Sequence, residues 1–404
     1  MLPKQPTSPP ERFRALIVSA CFVLLLVAAT ARVLITAFSS SEPQMHYLLQ
    51  ADAFLHGRLD IEPTGLTDLA HVDGRTFVAF PPAPAVLLLP LVAVFGVTEI
   101  SQILMALGLA AATLWALHRL LSKLELHAFD RPWLILAFTL GTGYWFALIY
   151  AGNVWFMAHI VAILFMLLAL SEAVGGGRAW LVGAFLGFAL LSRQLAVTLV
   201  PLLAALLWLN GDPSERKRRL VEFGLPLIAA VSAYLAFNAA RFGSPLDSGY
   251  SHIALTGFLA ERAAEHGQFS LSYLPFNLVY MFLQGFHLDF TGPLHLQVTG
   301  ADPFGTSLFA ASPFLLAAFW ANGRRAIQWA AWLGIAGATL VMLLYYNNGW
   351  FQLNTQRFML DILPALFYLA VRGSHRWPSA VFRGAIVYAV ALNVLTLVVL
   401  PFLS

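Results

Sequence analysis

Apolar residues come in long unbroken runs, and the polar positions fall between the runs rather than alternating within them. A membrane-spanning helix needs about 20 predominantly apolar residues. Runs of that character lie at 15–38, 100–121, 132–150, 153–172, 179–193, 195–209, 221–240, 303–320, 327–347, 358–371 and 382–403, which predicts eleven crossings. The first is too long for a signal-peptide core and has no clear small-residue cleavage site, so it reads as an uncleaved span. Pro84–Phe95 is apolar but covers only ~18 Å as a helix. It reads as a re-entrant or interfacial helix. Tyr273–Phe286, aromatic and interrupted by Pro275 and Asn277, reads as an interfacial helix on the outer side.

Basic residues on short loops stay on the cytoplasmic side and so orient the path. Lys4, Arg12 and Arg14 put the N-terminus in the cytoplasm. Arg119, Lys123 and Arg131 mark a second cytoplasmic turn, and Arg178, Arg216–Arg219, Arg324-Arg325 and Arg372 with Arg376 mark others. One alternating path satisfies them all. It leaves 39–99, 241–301, 348–357 and the C-terminus outside. The expected organisation is a cytoplasmic tail at 1–14 and one membrane domain at 15–404, with outer loops 39–99 and 241–301.

Composition agrees. Of 404 residues, 59% are hydrophobic and only 11% charged, and mean hydropathy is +0.76. Soluble domains are nearer a quarter charged. A soluble enzyme, a disordered chain and a nucleic-acid-binding domain are excluded, and no nucleic-acid partner is expected. The class is an all-α polytopic membrane protein. The single cysteine, Cys21, excludes an intramolecular disulfide and any multi-cysteine metal site; within the first run, a buried packing role is expected for it. No internal repeat supports an inverted-repeat transporter.

Most outward-facing ionisable residues lie in four patches. In Ser41–Pro82, Pro43 suits a helix start and Gly57 its stop, predicting a juxtamembrane helix near 43–56. Met45, Leu48, Leu49 and Leu55 line one face, and Asp52 falls on it too. A carboxylate there is costly unless paired, for example with Arg58, or used. Glu42 stands where it could serve the helix N-terminus. Arg193, within Ser192-Arg193-Gln194, sits at the tip of a short hairpin, where it could snorkel or serve a site. Arg241 follows a span directly. Arg357 and Asp361 are four apart, as an intrahelical pair would be. Arginines converging at an outer surface suit phosphate, since guanidinium binds its oxygens bidentately. A carboxylate near them suits proton removal from a hydroxyl. His159 is ambiguous between packing and a site role. A divalent cation is conceivable near Glu42, His46, Asp52, His56 and His159, but no H-E-x-x-H or D-x-D spacing supports it.

Six segments in order carry a resemblance: ADAFLHGRLDI, DGRTFVAFPPAPAVLLLP, VWFMAHI, LSRQLAVTLVPLL, NAARFGSPLDSGY and GWFQLNTQRFMLDILP. Together they resemble the GT-C superfamily of integral-membrane glycosyltransferases, especially bacterial members related to protein O-mannosyltransferases and lipid A aminoarabinose transferases. The resemblance implies a GT-C-like bundle of about 11 helices with outer-face juxtamembrane helices. It implies transfer of a sugar from a polyprenyl-phosphate carrier to a hydroxyl of a lipid, glycan or protein acceptor, outside a bacterial inner membrane. An acidic residue soon after the first span serves such enzymes as general base. Glu42 holds that position, with Asp52 second. The family's proline-proline element matches Pro81-Pro82, but the often-basic residue before it is Phe80. Donor-phosphate binding then falls to Arg58, Arg75, Arg193, Arg241 or Arg357, and His46, Trp155, His159, Tyr250 and Gln352 are candidates to line the substrate cavity. A lipid-linked sugar transporter or flippase would instead need ionisable residues along a mid-membrane path. A non-catalytic assembly subunit differs only in lacking activity.

Overall fold

The computed structural model describes residues 9–39, 45–124, 126, 130–349 and 357–400. The protein is mainly helical. Among the described residues, five stretches are long and apolar enough to cross a membrane: Gln102–Ser122 (α4), Val154–Val174 (α7), Pro213–Phe242, Arg325–Leu344 and Ser379–Val399. Preceding α4 are α1 (Pro9–Ser39), α2 (His46–Leu55) and α3 (Ala83–Phe95). α5 (Asp130–Leu140) and α6 (Tyr144–Ile149) lie before α7. Next come α8 (Ala179–Leu190), α9 (Val200–Asn210) and α10 (Arg216–Phe242). α11 (Gly257–His266), α12 (Leu274–Leu278) and α13 (Leu308–Ala311) are short. α14 (Arg325–Leu344), α15 (Leu363–Gly373) and α16 (Ser379–Val394) complete the chain.

α7 is enclosed on nearly all sides, packed against α4, α6, α8, α9 and α15. α10 is peripheral, and Val221, Leu225 and Ile228 on it face outward. Similar apolar side chains stand exposed on α1, α14 and α16, including Leu24, Trp329, Leu333 and Val387. An outer belt of this kind is the surface a bilayer requires. Cys21 also faces outward on α1, exposed among the described residues, so the buried role expected for it is not found.

Several expected spans are broken. The 132–150 run divides at Gly141–Gly143 into α5 and α6. The carbonyls released there are recovered from within the bundle. Asn393 Nδ2 donates to Leu140 O at 2.6 Å and Thr142 O at 3.1 Å, and Ser312 Oγ donates to Gly141 O at 2.6 Å. Irregular backbone survives at depth only when it is satisfied this way. Other helices approach closely through glycine. A Cβ on Gly183 of α8 would collide with the Phe223 carbonyl of α10. Gly183→Val is expected to cost about 1–3 kcal/mol by overpacking this crossing, read as a lowered unfolding midpoint in detergent; an unchanged midpoint would show that the crossing yields.

The two ends of the bundle differ chemically. At one end Arg119 pairs with Glu172 at 2.7 Å, Lys123 donates to Ser171 O, and Arg219 donates to Gly177 O. Arg324 donates to Leu209 O, Arg372 to Asn322 O, and Arg383 to Asp130. Arg119, Lys123, Arg219, Arg324 and Arg372 are among the loop residues that charge alone assigned to one side; Arg383, on α16, is not. At the opposite end Gln102 donates to Gly152 O, and the C-terminal ends of α8, α10 and α14 gather beneath the two long loops.

Those loops are not wholly helical. β1 (Leu69–Val72) and β2 (Arg75–Val78) form an antiparallel hairpin, turning through Asp73 and Gly74 at φ 49° and 74°. Two successive positive φ values are what a two-residue hairpin turn demands, and Asp-Gly supplies them. A second hairpin pairs β3 (Leu288–Thr291) with β4 (Gln297–Ala301). The region 43–56, where a helix is expected, holds α2, which ends before Gly57 at φ 69°; residues 40–44 lie outside the described part. α3 matches the expected short helix at 84–95 and packs against α2.

Candidate functional site

The chemistry gathers at the looped end. α2 turns His46, Tyr47 and Gln50 inward, because positions three and four apart share a helix face. His46 Nε2 lies 2.7 Å from Thr67 O, which brings the next residue, Asp68, beside it. Asp68 adopts φ 60°, a left-handed conformation that aspartate tolerates. Burial pushes its carboxyl above the ordinary range, against the opposing pull of His46 and Arg357. Burial likewise lowers the pKa of His46, opposed by the Thr67 carbonyl and by Asp68.

Arg193 follows α8 and is 9% exposed. Its Nε lies 3.1 Å from Asp361 Oδ1 and its Nη2 2.6 Å from Asp361 Oδ2, a bidentate pair. His159, on α7, places Nδ1 3.3 Å from Asp361 Oδ1. The intrahelical Arg357–Asp361 pair does not form. Residues Arg357–Asp361 make a 3₁₀ turn, whose three-residue period takes i and i+4 off a common face. Asp361 therefore meets an arginine 168 positions away. Arg357, 3% exposed, lies with Cζ 4.7 Å from the Trp155 ring centroid and 5.3 Å from that of Phe358. Arg193 approaches the same Phe358 ring at 5.6 Å.

Tyr250 stands at the centre, within electrostatic reach of Arg193, Arg241 and Arg357. Burial raises its phenol well above the usual tyrosine range. Phe80, at the often-basic position before Pro81, meets the Tyr250 ring edge-on at 5.6 Å. Arg241 has its own partners: Nη1 donates to Val78 O at 2.6 Å, and Nη2 to Asn238 Oδ1 at 3.0 Å. It ties the end of α10 to β2.

The structure thus brings together His46, Trp155, His159, Arg193, Tyr250 and Arg357, with Arg241 at the margin. It does not bring Asp52, Arg58 or Arg75 there. Asp52 lies at the surface, its Oδ1 3.6 Å from His56 Nδ1. Arg58 pairs with Glu62 at 2.6 Å and Arg75 with Asp60 at 2.5 Å, all on the outside of the first loop. The loop after α2 brings Arg58 only to its near neighbour Glu62, and the hairpin carries Arg75 to the exposed Asp60. Glu42 and Gln352 lie outside the described residues. Among the described residues, no three His, Cys, Asp or Glu side chains converge as a metal site would need: His159 faces Asp361, and His56 faces Asp52 on the surface.

Sequence reasoning missed Asp68, Tyr47 and Gln50. Gln50 is fully buried, and among the described residues neither its amide atoms nor the Tyr47 hydroxyl has a hydrogen-bond partner. Each such buried group costs about 1–3 kcal/mol unless something polar meets it. The legible signal was a glutamine and a tyrosine at i and i+3 among apolar residues, on the face carrying His46.

No family model and no curated protein sequence matches the chain. Two solved structures of ArnT from Cupriavidus metallidurans do match. The apo structure aligns at TM-score 0.51 and 15% identity, over 92% of this chain and 62% of that one. The structure bound to undecaprenyl phosphate aligns at TM-score 0.51 and 15% identity, over 95% and 72%. The fold is similar to that of ArnT. The chain spans about three fifths of the length of the apo ArnT chain. A mainly helical fold similar to that of ArnT is consistent with the architecture the sequence resemblance implies.

Proposed function

We propose that the protein is a GT-C glycosyltransferase that moves a sugar from a polyprenyl-phosphate carrier to an acceptor hydroxyl, at the outer face of a bacterial inner membrane. The observation that carries the reading is the buried pairing of Arg193 and Arg357 around Tyr250, beside the unsatisfied Gln50 and Tyr47. The fold likeness to a protein solved with undecaprenyl phosphate supports it. So does the position of the cluster at one end of the bundle, where a mid-membrane transport path would spread the charges. In this reading the chain crosses the membrane eleven times, from a cytoplasmic N-terminus to an outer C-terminus. The basic end with Arg119, Lys123 and Arg219 faces the cytoplasm.

The chemistry follows from the charges. The acceptor oxygen forms a bond to the anomeric carbon as the bond from that carbon to the phosphate oxygen breaks. The acceptor proton goes to Glu42, and polyprenyl phosphate leaves carrying added negative charge. Arg193 and Arg357 stabilise that charge in a site largely closed to water, where preorganised donors count most. Asp361 fixes the fork of Arg193, and Arg357 is the second phosphate ligand.

Arg357→Ala is expected to weaken undecaprenyl phosphate binding to purified protein by about 1.5–3 kcal/mol, the range for a hydrogen bond to a charged group. Arg357→Lys recovers part of the loss, because lysine keeps the charge but lacks the planar fork. Arg58→Ala, which touches only a surface pair, leaves binding near wild type. Equal losses in all three would detach the arginine cluster from the donor. A screen of synthetic polyprenyl-phosphate sugars, read by release of polyprenyl phosphate, then tests transfer and identifies the sugar.

A further inference from the structure

We propose that a pocket on the outer loop, between α11 and the segment 271–278, binds the sugar hydroxyls of a membrane-borne glycolipid acceptor; the acceptor role rests on the glycosyltransferase reading above. The pocket encloses about 350 Å³, within the ~300–1,000 Å³ usual for small-molecule sites. Phe258, Glu261, Arg262, Glu265, Phe276 and Asn277 border it.

Asn277 is the first pointer. It is fully buried, and its Nδ2 donates to the carbonyls of Met342, Leu343 and Tyr345 at 3.2, 2.9 and 2.9 Å. Those three bonds fix which way the amide faces and close the end of α14. Its Oδ1 is left buried with no partner among the described residues. A buried acceptor in that state calls for a donor.

The rest of the lining tells which donor. Arg262 is held between two rings, Cζ 5.0 Å from Phe258 and 4.6 Å from Phe276, with Nη1 on Tyr346 O at 3.2 Å. It offers further N–H donors from a fixed position. The Glu261 and Glu265 carboxylates stand beside it as acceptors. A phosphate would meet both carboxylates, and an ammonium would meet the guanidinium. Hydroxyl groups both donate and accept, so a polyol satisfies the arginine, the carboxylates and Asn277 at once.

Position gives the pocket its role. Leu271 and Leu278 on the same segment, and Leu283 just after it, face outward, which puts the mouth at the membrane boundary. The wall behind it is the strand-like stretch 344–346. Ser270 N–H donates to Leu344 O at 2.9 Å, and Tyr346 N–H to Gln268 O at 3.0 Å. The side chains of Tyr345 and Tyr346 lie within electrostatic reach of Arg357 on the other side. One backbone segment therefore separates the pocket from the arginine cluster, and a saccharide seated in it could extend a hydroxyl toward the donor.

The test uses the whole protein in nanodiscs, with no donor present, and an alkyl hexoside carrying a photoreactive diazirine as the probe. Labelling is expected within residues 257–278 and is displaced by the unlabelled hexoside. It falls at least fivefold in the Glu261→Gln/Glu265→Gln double variant, whose exposed side chains carry no packing role, and in Arg262→Gln. Undecaprenyl phosphate binding, measured on the same samples, stays at the wild-type level. Labelling elsewhere, labelling unchanged in both variants, or displacement by phosphatidylglycerol but not by the hexoside would overturn the proposal. If the pocket labels as expected while wild-type protein fails to bind undecaprenyl phosphate, the donor reading fails and the saccharide site stands.

Discussion

Asp361→Asn is expected to destabilise the protein by about 3–5 kcal/mol, the usual cost of breaking a buried ion pair from one side. The side chain of Asp361 is wholly buried, and both its oxygens are engaged by Arg193. Asparagine keeps the shape but leaves the Arg193 charge in a low-dielectric site with no counter-charge on that side. Chemical denaturation in detergent, followed by tryptophan fluorescence, measures the loss. A double variant, Arg193→Leu/Asp361→Leu, is expected to regain much of it, since replacing a buried pair with apolar groups is often close to neutral. The double variant also separates structure from function. If it folds but binds undecaprenyl phosphate more weakly, Arg193 has a role at the ligand. If it folds and binds normally, the pair is a structural clamp and Arg357 reads the phosphate alone. A single Asp361→Asn loss below about 1 kcal/mol would mean the pair is hydrated and the site more open than its burial indicates.

Glu42→Gln is expected to lower turnover by about 10²–10⁴-fold while leaving donor binding largely intact, because a base acts mainly in the transition state. The readout is the single-turnover rate at saturating polyprenyl-phosphate sugar, set beside the affinity for undecaprenyl phosphate. Two comparison variants make the assignment decidable. Asp52 is partly exposed and turned to His56, so Asp52→Asn should run near the wild-type rate. Asp68 is buried beside His46 and within electrostatic reach of Arg357, and burial already disfavours its charged form. If Glu42→Gln is nearly normal and Asp68→Asn loses turnover, the base is Asp68; if the loss falls on Asp52→Asn, the base is Asp52.

Both predictions turn on residues that one-dimensional reasoning treated unevenly. Arg193, Arg357 and Asp361 stood out because charge at the outer end of a span is costly and so must have a partner or a use. Which partner could not be read. Local spacing is the only distance a sequence offers, and it sets Asp361 against Arg357, four positions away. Asp68 gave no signal. Its burial comes from the Thr67–His46 contact and the following hairpin, and neither is encoded within a few residues of it. The hairpin itself carried a local sign in Asp73-Gly74, but its strands are only four residues each and sit in a loop that reads as polar.

That this chain belongs in a membrane, where its apolar runs lie, and which loop residues share an end can be read from the order of residues alone. Burying apolar area and keeping basic charge to one side are one-dimensional constraints, and a run of letters is enough to express them. Where the helices break, which spans are enclosed, and how the functional groups pair depend on the folded bundle. Asn393 and Ser312 repair the break after α5 from 171 or more positions away, and Arg193 meets Asp361 across 168. Inside a bilayer every exposed carbonyl, amide or charge must find a partner within the protein. Those partners are chosen by proximity in the folded bundle, and proximity between distant segments is what a linear pattern does not carry.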